Sequence, residues 1–181
     1  MKRAPVVAVP QVRATVITIE TKVEPENKTF THAIVVAGDK ARSLDEVDHW
    51  RLFDLKAKTV TFVDDIAKSY RTEAFAPRES DFHATSETKP LQGVNTTLWT
   101  MHKGGYVRQL WIGSHPAIPP QLFSMMSGIP ARGFPLAEHA ELPYLNKKLV
   151  VDKSVTRIES KNVPASLFVV TKPGVNRRPA S

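Results

Sequence analysis

The 181-residue sequence contains no cysteine. Disulfides, thiolate metal sites and a cysteine nucleophile are therefore excluded. Its eight glycines are scattered, and none belongs to a glycine-rich phosphate loop. No stretch approaches the roughly 18 consecutive apolar residues that a membrane-spanning helix needs. The six histidines stand at 32, 49, 83, 102, 115 and 139 and form neither HExxH nor another close ligand spacing. Ser114 and His115 adjoin, but no GxSxG elbow surrounds them. Folding would have to bring His102 and His115 to Asp64 or Asp65 to make a metal site, and Asp64-Asp65 is already explained as a pair of turn residues. The residues thus give no positive sign of an enzyme, a cofactor or a metal.

Basic residues exceed acidic ones by seven. Lys2 and Arg3 supply two of these charges, and Lys172, Arg177 and Arg178 supply three, with no acid in either terminal segment. The body between them is left with +2 and has no run of five basic residues, which argues against a nucleic-acid surface. Hydrophobic residues make up 41% and charged residues 24%. That balance supports one folded domain with a hydrophobic core rather than a disordered chain. Residues 1–12 read as an N-terminal arm, 13–171 as the domain and 172–181, Pro/Gly/Arg-rich, as a flexible basic tail.

What is present is β pattern. RATVITIETKVE (13–24) alternates, with Ile17, Ile19 and Val23 on one face and Thr18, Glu20 and Lys22 on the other. TFTHAIVVAG (29–38) follows a turn and is rich in β-branched residues. Residues 51–75, RLFDLKAKTVTFVDDIAKSYRTEAF, read as three strands joined by tight turns. Connections that short force antiparallel pairing, so the segment is a meander, with Val60 and Phe62 on one face and Thr59 and Thr61 on the other. Residues 76–92 are polar, carry Pro77 and Pro90, and read as a long surface loop. NTTLWTMHKGGYVRQLWIG (95–113) reads as a hairpin bent at Lys103-Gly104-Gly105. Trp99, Met101, Val107 and Trp111 hold alternating positions within its strands, where aromatics stabilise a sheet as readily as they line a site. Gly133-Phe134-Pro135 and Pro143 punctuate a loop, 149–160 reads as a strand, and 162–170 as a short turn ending in Leu167 and Phe168.

One segment reads as a helix. IPPQLFSMMSGIP places prolines at the start, Gly128 at the end and Pro130 beyond it. Leu122, Phe123, Met125 and Met126 cover most of its circumference, so it packs on the sheet, either as plain core or as a plug in a cavity.

Five stretches, LFDLKAKTVTFVDDIAKSYR (52–71), SETKPLQGVNTTLWT (86–100), GGYVRQLWIG (104–113), GFPL (133–136) and VTRIESKNVPASLF (155–168), together resemble the LolA-like lipoprotein-carrier half-barrels. The chain is most similar to a little-characterised bacterial family of that type. The resemblance implies a mainly β fold: one curved, open antiparallel sheet with one or a few helices on its concave face. It also implies export to a periplasmic or secreted location and an apolar face that holds acyl chains. The groove would then be lined by Ile17, Ile19, Phe53, Leu55, Val60, Phe62 and Tyr70 from the first strands, by Trp99, Met101 and Trp111 from the hairpin, and by Leu122, Met125 and Met126 from the helix.

Two functions follow as expectations. The first is a non-enzymatic carrier or sensor of a lipid or other hydrophobic small molecule, without a cofactor. The second is a structural or protein-interaction module that uses sheet edges and the 76–92 loop.

Overall fold

The computed structural model describes residues 8–44 and 47–170. The expected tail and most of the expected N-terminal arm lie outside the described residues. Eleven strands form one antiparallel sheet: β1 Gln11–Glu24, β2 Lys28–Ala37, β3 Lys40–Ser43, β4 His49–Asp54, β5 Thr59–Asp64, β6 Ser69–Ala74, β7 His83–Leu91, β8 Val94–Lys103, β9 Tyr106–Gly113, β10 Phe134–Tyr144 and β11 Lys147–Pro164. The one α-helix among the described residues, α1 Leu122–Ser127, interrupts the β9–β10 connection, and a 3-10 turn, Ala165–Phe168, follows β11.

The order across the sheet is β6-β5-β4-β3-β2-β1-β11-β10-β9-β8-β7. Two meanders therefore run outward from a central β1–β11 pair, where Ile17 faces Ile158 and Val23 faces Val151. This layout fixes the curvature. β6 and β7 are the two opposite edges, yet only residues 75–82 connect them. Nine residue steps reach at most about 32 Å. Ten strand spacings in a flat sheet span roughly 48 Å. The sheet must curl to bring its edges within reach of that connection, and the result is an open half-barrel.

Strand periodicity then sorts the side chains. On the face toward α1, Ile17, Ile34, Phe53, Val60, Leu110, Ile112, Leu136 and Val155 join Leu122 and Met125 in one buried core. The opposite face carries two smaller clusters. Ala14, Val16, Val35 and Val163 pack beneath Leu167 and Phe168, and Trp50, Leu52 and Val63 pack with Tyr70 and Phe168. The 3-10 turn thus covers the back of the first meander as α1 covers the front.

Three segments depart from the sequence reading. Most of the expected 76–92 loop is strand: His83–Leu91 pairs with β8 at the sheet edge. An edge strand exposed on both faces needs no apolar alternation, and Pro90 is tolerated where one side of the strand has no ladder to feed. The stretch expected as a loop around Gly133 and Pro143 is β10, whose Pro135 sits at a register shift against β9. Lys40–Ser43 forms β3, a strand too short to show periodicity; Ala41 within it is fully buried.

Candidate functional site

The site is the space between α1 and the sheet. Helix α1 has only six residues, so few of its backbone groups are paired within it, and local side chains satisfy others. Ser124 Oγ donates to the Gln121 carbonyl at 2.9 Å, and Ser127 Oγ donates to the Phe123 carbonyl at 2.8 Å. Gly128 ends the helix at φ +77°, where a side chain is disfavoured, and its N–H donates to the Ser124 carbonyl at 2.8 Å. Leu122, Phe123 and Met125 are buried while Met126 is half-buried. From β4, Arg51 Nη1 donates to the Met126 carbonyl at 3.4 Å.

Two cavities lie between the helix and the sheet; a third, 280 Å³, borders Gln121, Ser124 and Gly128 and touches no strand residue. The first, 310 Å³, lies between Met125–Gly128 and the β4–β6 strands, with Phe53, Val60 and Phe62 on its wall and Arg51, Glu73 and Arg78 at its polar margin. The second, 220 Å³, lies between Phe123, Met126 and Ser127 and residues drawn from β1, β2, β4, β9, β10 and β11. Arg51, Met126 and Ser127 border both, so this trio forms the partition.

The second cavity has a polar end. Arg108 donates from Nε at 3.0 Å and from Nη2 at 2.5 Å to Glu138 Oε1. Lys153 Nζ stands 3.8 Å from Glu138 Oε2. The Glu138 side chain is only 11% exposed, so two cations hold a nearly buried carboxylate. His32 and Arg51 complete the polar lining; Ile19, Ile34, Phe134 and Val155 are apolar.

The expected groove residues fall into three groups. Phe53, Val60, Phe62, Met125 and Met126 line the first cavity, and Ile19 and Met126 the second. Ile17, Leu55 and Leu122 belong to the same core but line neither of these cavities, and Trp99 packs against that core from β8. Met101 is half-buried, level with Arg108 and outside the core cluster. Tyr70 and Trp111 are corrections. Tyr70 pairs with Val63 and packs on the back of the sheet. Trp111 alternates with Leu110 and Ile112, which face the helix, so it points to the back, where Lys89 Nζ sits 3.9 Å from its ring centroid. The hairpin pairing thus separates Trp99 from Trp111: Trp99 faces Leu110, and Trp111 faces Leu98.

The charged residues of the second cavity carried a readable signal. Arg51, Arg108, Glu138 and Lys153 each stand two positions from a buried apolar residue of their own strand: Phe53, Leu110, Leu136 and Val155. A charge in phase with the inward face is the informative exception to alternation. The candidate metal ligands go elsewhere. Asp64 Oδ1 accepts from the Ala67 N–H at 2.7 Å, Asp65 Oδ2 accepts from Trp50 Nε1 at 3.0 Å, and His115 Nδ1 accepts from the Ala117 N–H at 3.2 Å. Among the described residues no three of His, Cys, Asp and Glu are placed to hold a metal ion, and no helix is long and apolar enough to cross a membrane.

No protein-family model and no curated protein matches the chain. Solved structures do. PNGF-II in a C2 crystal form aligns with a TM-score of 0.63 at 14% identity, over 93% of this chain and 31% of that one. PNGF-II in a P21 form aligns with a TM-score of 0.60 at 14% identity, over 93% of this chain and 32% of that one. The chain therefore spans about a third of the length of the solved structures it matches. At this identity the likeness is one of fold.

Proposed function

We propose that the chain is a non-enzymatic carrier or sensor of an apolar ligand, a lipid or other acyl chain, held between the curved sheet and α1. The observation that carries this reading is the pair of cavities meeting at Met126 under a six-residue helix. Their walls supply Phe53, Val60, Phe62, Ile34 and Phe134 on the sheet side and Phe123, Met125 and Met126 on the helix side. Burial is sufficient mechanism: each CH₂ moved out of water contributes roughly 0.8 kcal/mol. Methionine side chains repack at low cost around a guest. Displacing α1 means breaking the Arg51–Met126 hydrogen bond and the Phe123–Phe134 ring contact and moving one short helix, while the strand ladder stays intact. The resemblance to the LolA-like half-barrels supports the same ligand class, and with it a periplasmic or secreted location.

A second reading rests on the edges. Among the described residues β6 and β7 each have one side without a strand partner, and such edges accept an extended segment of another protein. One experiment separates the two. Protein purified without detergent is weighed in its native and denatured states and titrated with a fluorescent fatty acid. A mass excess lost on denaturation, or saturable uptake of the fatty acid, supports the carrier. A ligand-free protein that takes up no fatty acid defeats it and leaves the edges.

A further inference from the structure

We infer that the Arg108–Glu138–Lys153 end of the second cavity receives an anionic head group, a carboxylate or phosphate, so that the ligand is an acidic acyl amphiphile rather than a neutral lipid. The inference rests on the carrier reading and adds a substrate class to it.

Charge stands on the apolar side of these strands. Arg51, Arg108 and Lys153 all border a cavity that Ile34, Phe123 and Phe134 make apolar, and Glu138 is the one carboxylate among its lining residues. Charges beside an apolar wall are costly to desolvate. Glu138 by itself calls for one partner, and Arg108 already supplies it at 2.5 Å. Lys153, held only loosely to Glu138 at 3.8 Å, sets a second cation against that one carboxylate, so this end of the cavity is positive, which favours an anion there and disfavours a cation.

Donor geometry points the same way. Arg108 spends Nε and Nη2 on Glu138 Oε1, and Nη1 of the planar fork remains to reach a second acceptor. Lys153 Nζ, at 3.8 Å from Glu138 Oε2, is beyond hydrogen-bond distance, and its side chain is 41% exposed. It stands at the mouth, where an entering head group meets it first. With the head group between Lys153 and Arg108, the acyl chain runs past Phe123 toward Met126 and the first cavity. Arg and Lys here perform different tasks: the fork orients, and the ammonium attracts.

The test uses the full chain at low salt. Binding of laurate and of 1-dodecanol, which share a chain length and differ in charge, is measured by calorimetry for the native protein and for Lys153→Gln. Lys153 is chosen because its replacement leaves the Arg108–Glu138 pair in place, and circular dichroism checks that the variant folds. Laurate is expected to bind about tenfold more tightly than the alcohol, the worth of one charge-assisted hydrogen bond. Lys153→Gln is expected to weaken laurate several-fold and leave the alcohol unchanged. Equal affinity for the two, with no effect of the substitution, overturns the head-group site while the carrier reading survives. Binding of neither overturns both. Inorganic phosphate that displaces laurate at equal concentration would mark a site for small anions and overturn the amphiphile.

Discussion

The rings of Phe123 and Phe134 meet edge to face, with centroids 6.2 Å apart and planes inclined at 73°. This contact fastens α1 to the first residue of β10 from across the loop that joins them. Phe123 is 8% exposed and Phe134 3%. A six-residue helix has almost no intrinsic stability, so tertiary contacts of this kind hold it. Phe123→Ala is expected to cost about 3–5 kcal/mol in urea unfolding, from lost burial and a residual cavity. A cost below about 1 kcal/mol would mean that α1 is not anchored at this end.

Gly133 precedes that anchor and is constrained twice. Its φ of +120° lies where L side chains are strained, and a Cβ there would stand 2.7 Å from the Gly113 carbonyl oxygen. Gly38, in the β2–β3 turn, also has positive φ, +54°, but a Cβ there would meet no atom within 4 Å. The pair separates backbone strain from collision. Gly38→Ala is expected to cost about 1 kcal/mol, whereas Gly133→Ala should cost at least twice that, because backbone must move. Equal losses of stability would show that the β9–β10 crossing has slack.

How far the architecture could be read from the sequence depends on whether a strand has one buried face. β1 alternates over Ile17–Lys22, and β2 is legible from its β-branched run although Ile34 and Val35 bury opposite faces; their limits lie within about two residues of the expected ones. β7 shows no alternation because it is an exposed edge, so His83–Leu91 read as loop. β9 carries apolar residues on both faces, and its parity is set only by pairing with β8; hence Trp111 was expected in the groove and lies behind the sheet. Tyr70 fails for a related reason. The turn at 65–68 fixes the register that puts Val63, not Phe62, opposite it. The polar end of the second cavity is legible only once strand parity is known, because Arg51, Arg108 and Lys153 keep the phase of the core residues Phe53, Leu110 and Val155.

Thr21 stands between Phe30 and Lys153 in the middle of the sheet and is 9% exposed. Its hydroxyl is buried and has no hydrogen-bond partner among the described residues. An unsatisfied buried hydroxyl costs about 1–3 kcal/mol, while valine has nearly the same shape, no polar group and a stronger preference for strands. Thr21→Val is therefore expected to raise the unfolding free energy by about 1 kcal/mol. Destabilisation would mean that the hydroxyl is satisfied by a bound water.

On the back of the sheet, His139 Nδ1 lies 2.7 Å from Asp152 Oδ1, and Nε2 lies 3.5 Å from Glu141 Oε1. The Asp152 hydrogen bond, more than any other influence, raises the His139 pKa above its ordinary 6.5, against a smaller opposing effect of burial. A group whose pKa is higher folded than unfolded contributes its full stabilisation below the unfolded value and loses it as pH rises through the folded value. His139→Gln keeps a donor toward Asp152 but does not titrate. The stability difference between native protein and variant is expected to favour the native protein at pH 5.5, to shrink above pH 6.5 and to level off once the imidazole is neutral. Solvent screening at this half-exposed pair keeps the change below about 1 kcal/mol. Parallel thermal unfolding of both proteins across pH 5.5–8.5 measures it. A difference that stays flat, or grows with pH, would show that the imidazole does not gain charge stabilisation from Asp152 in the folded state.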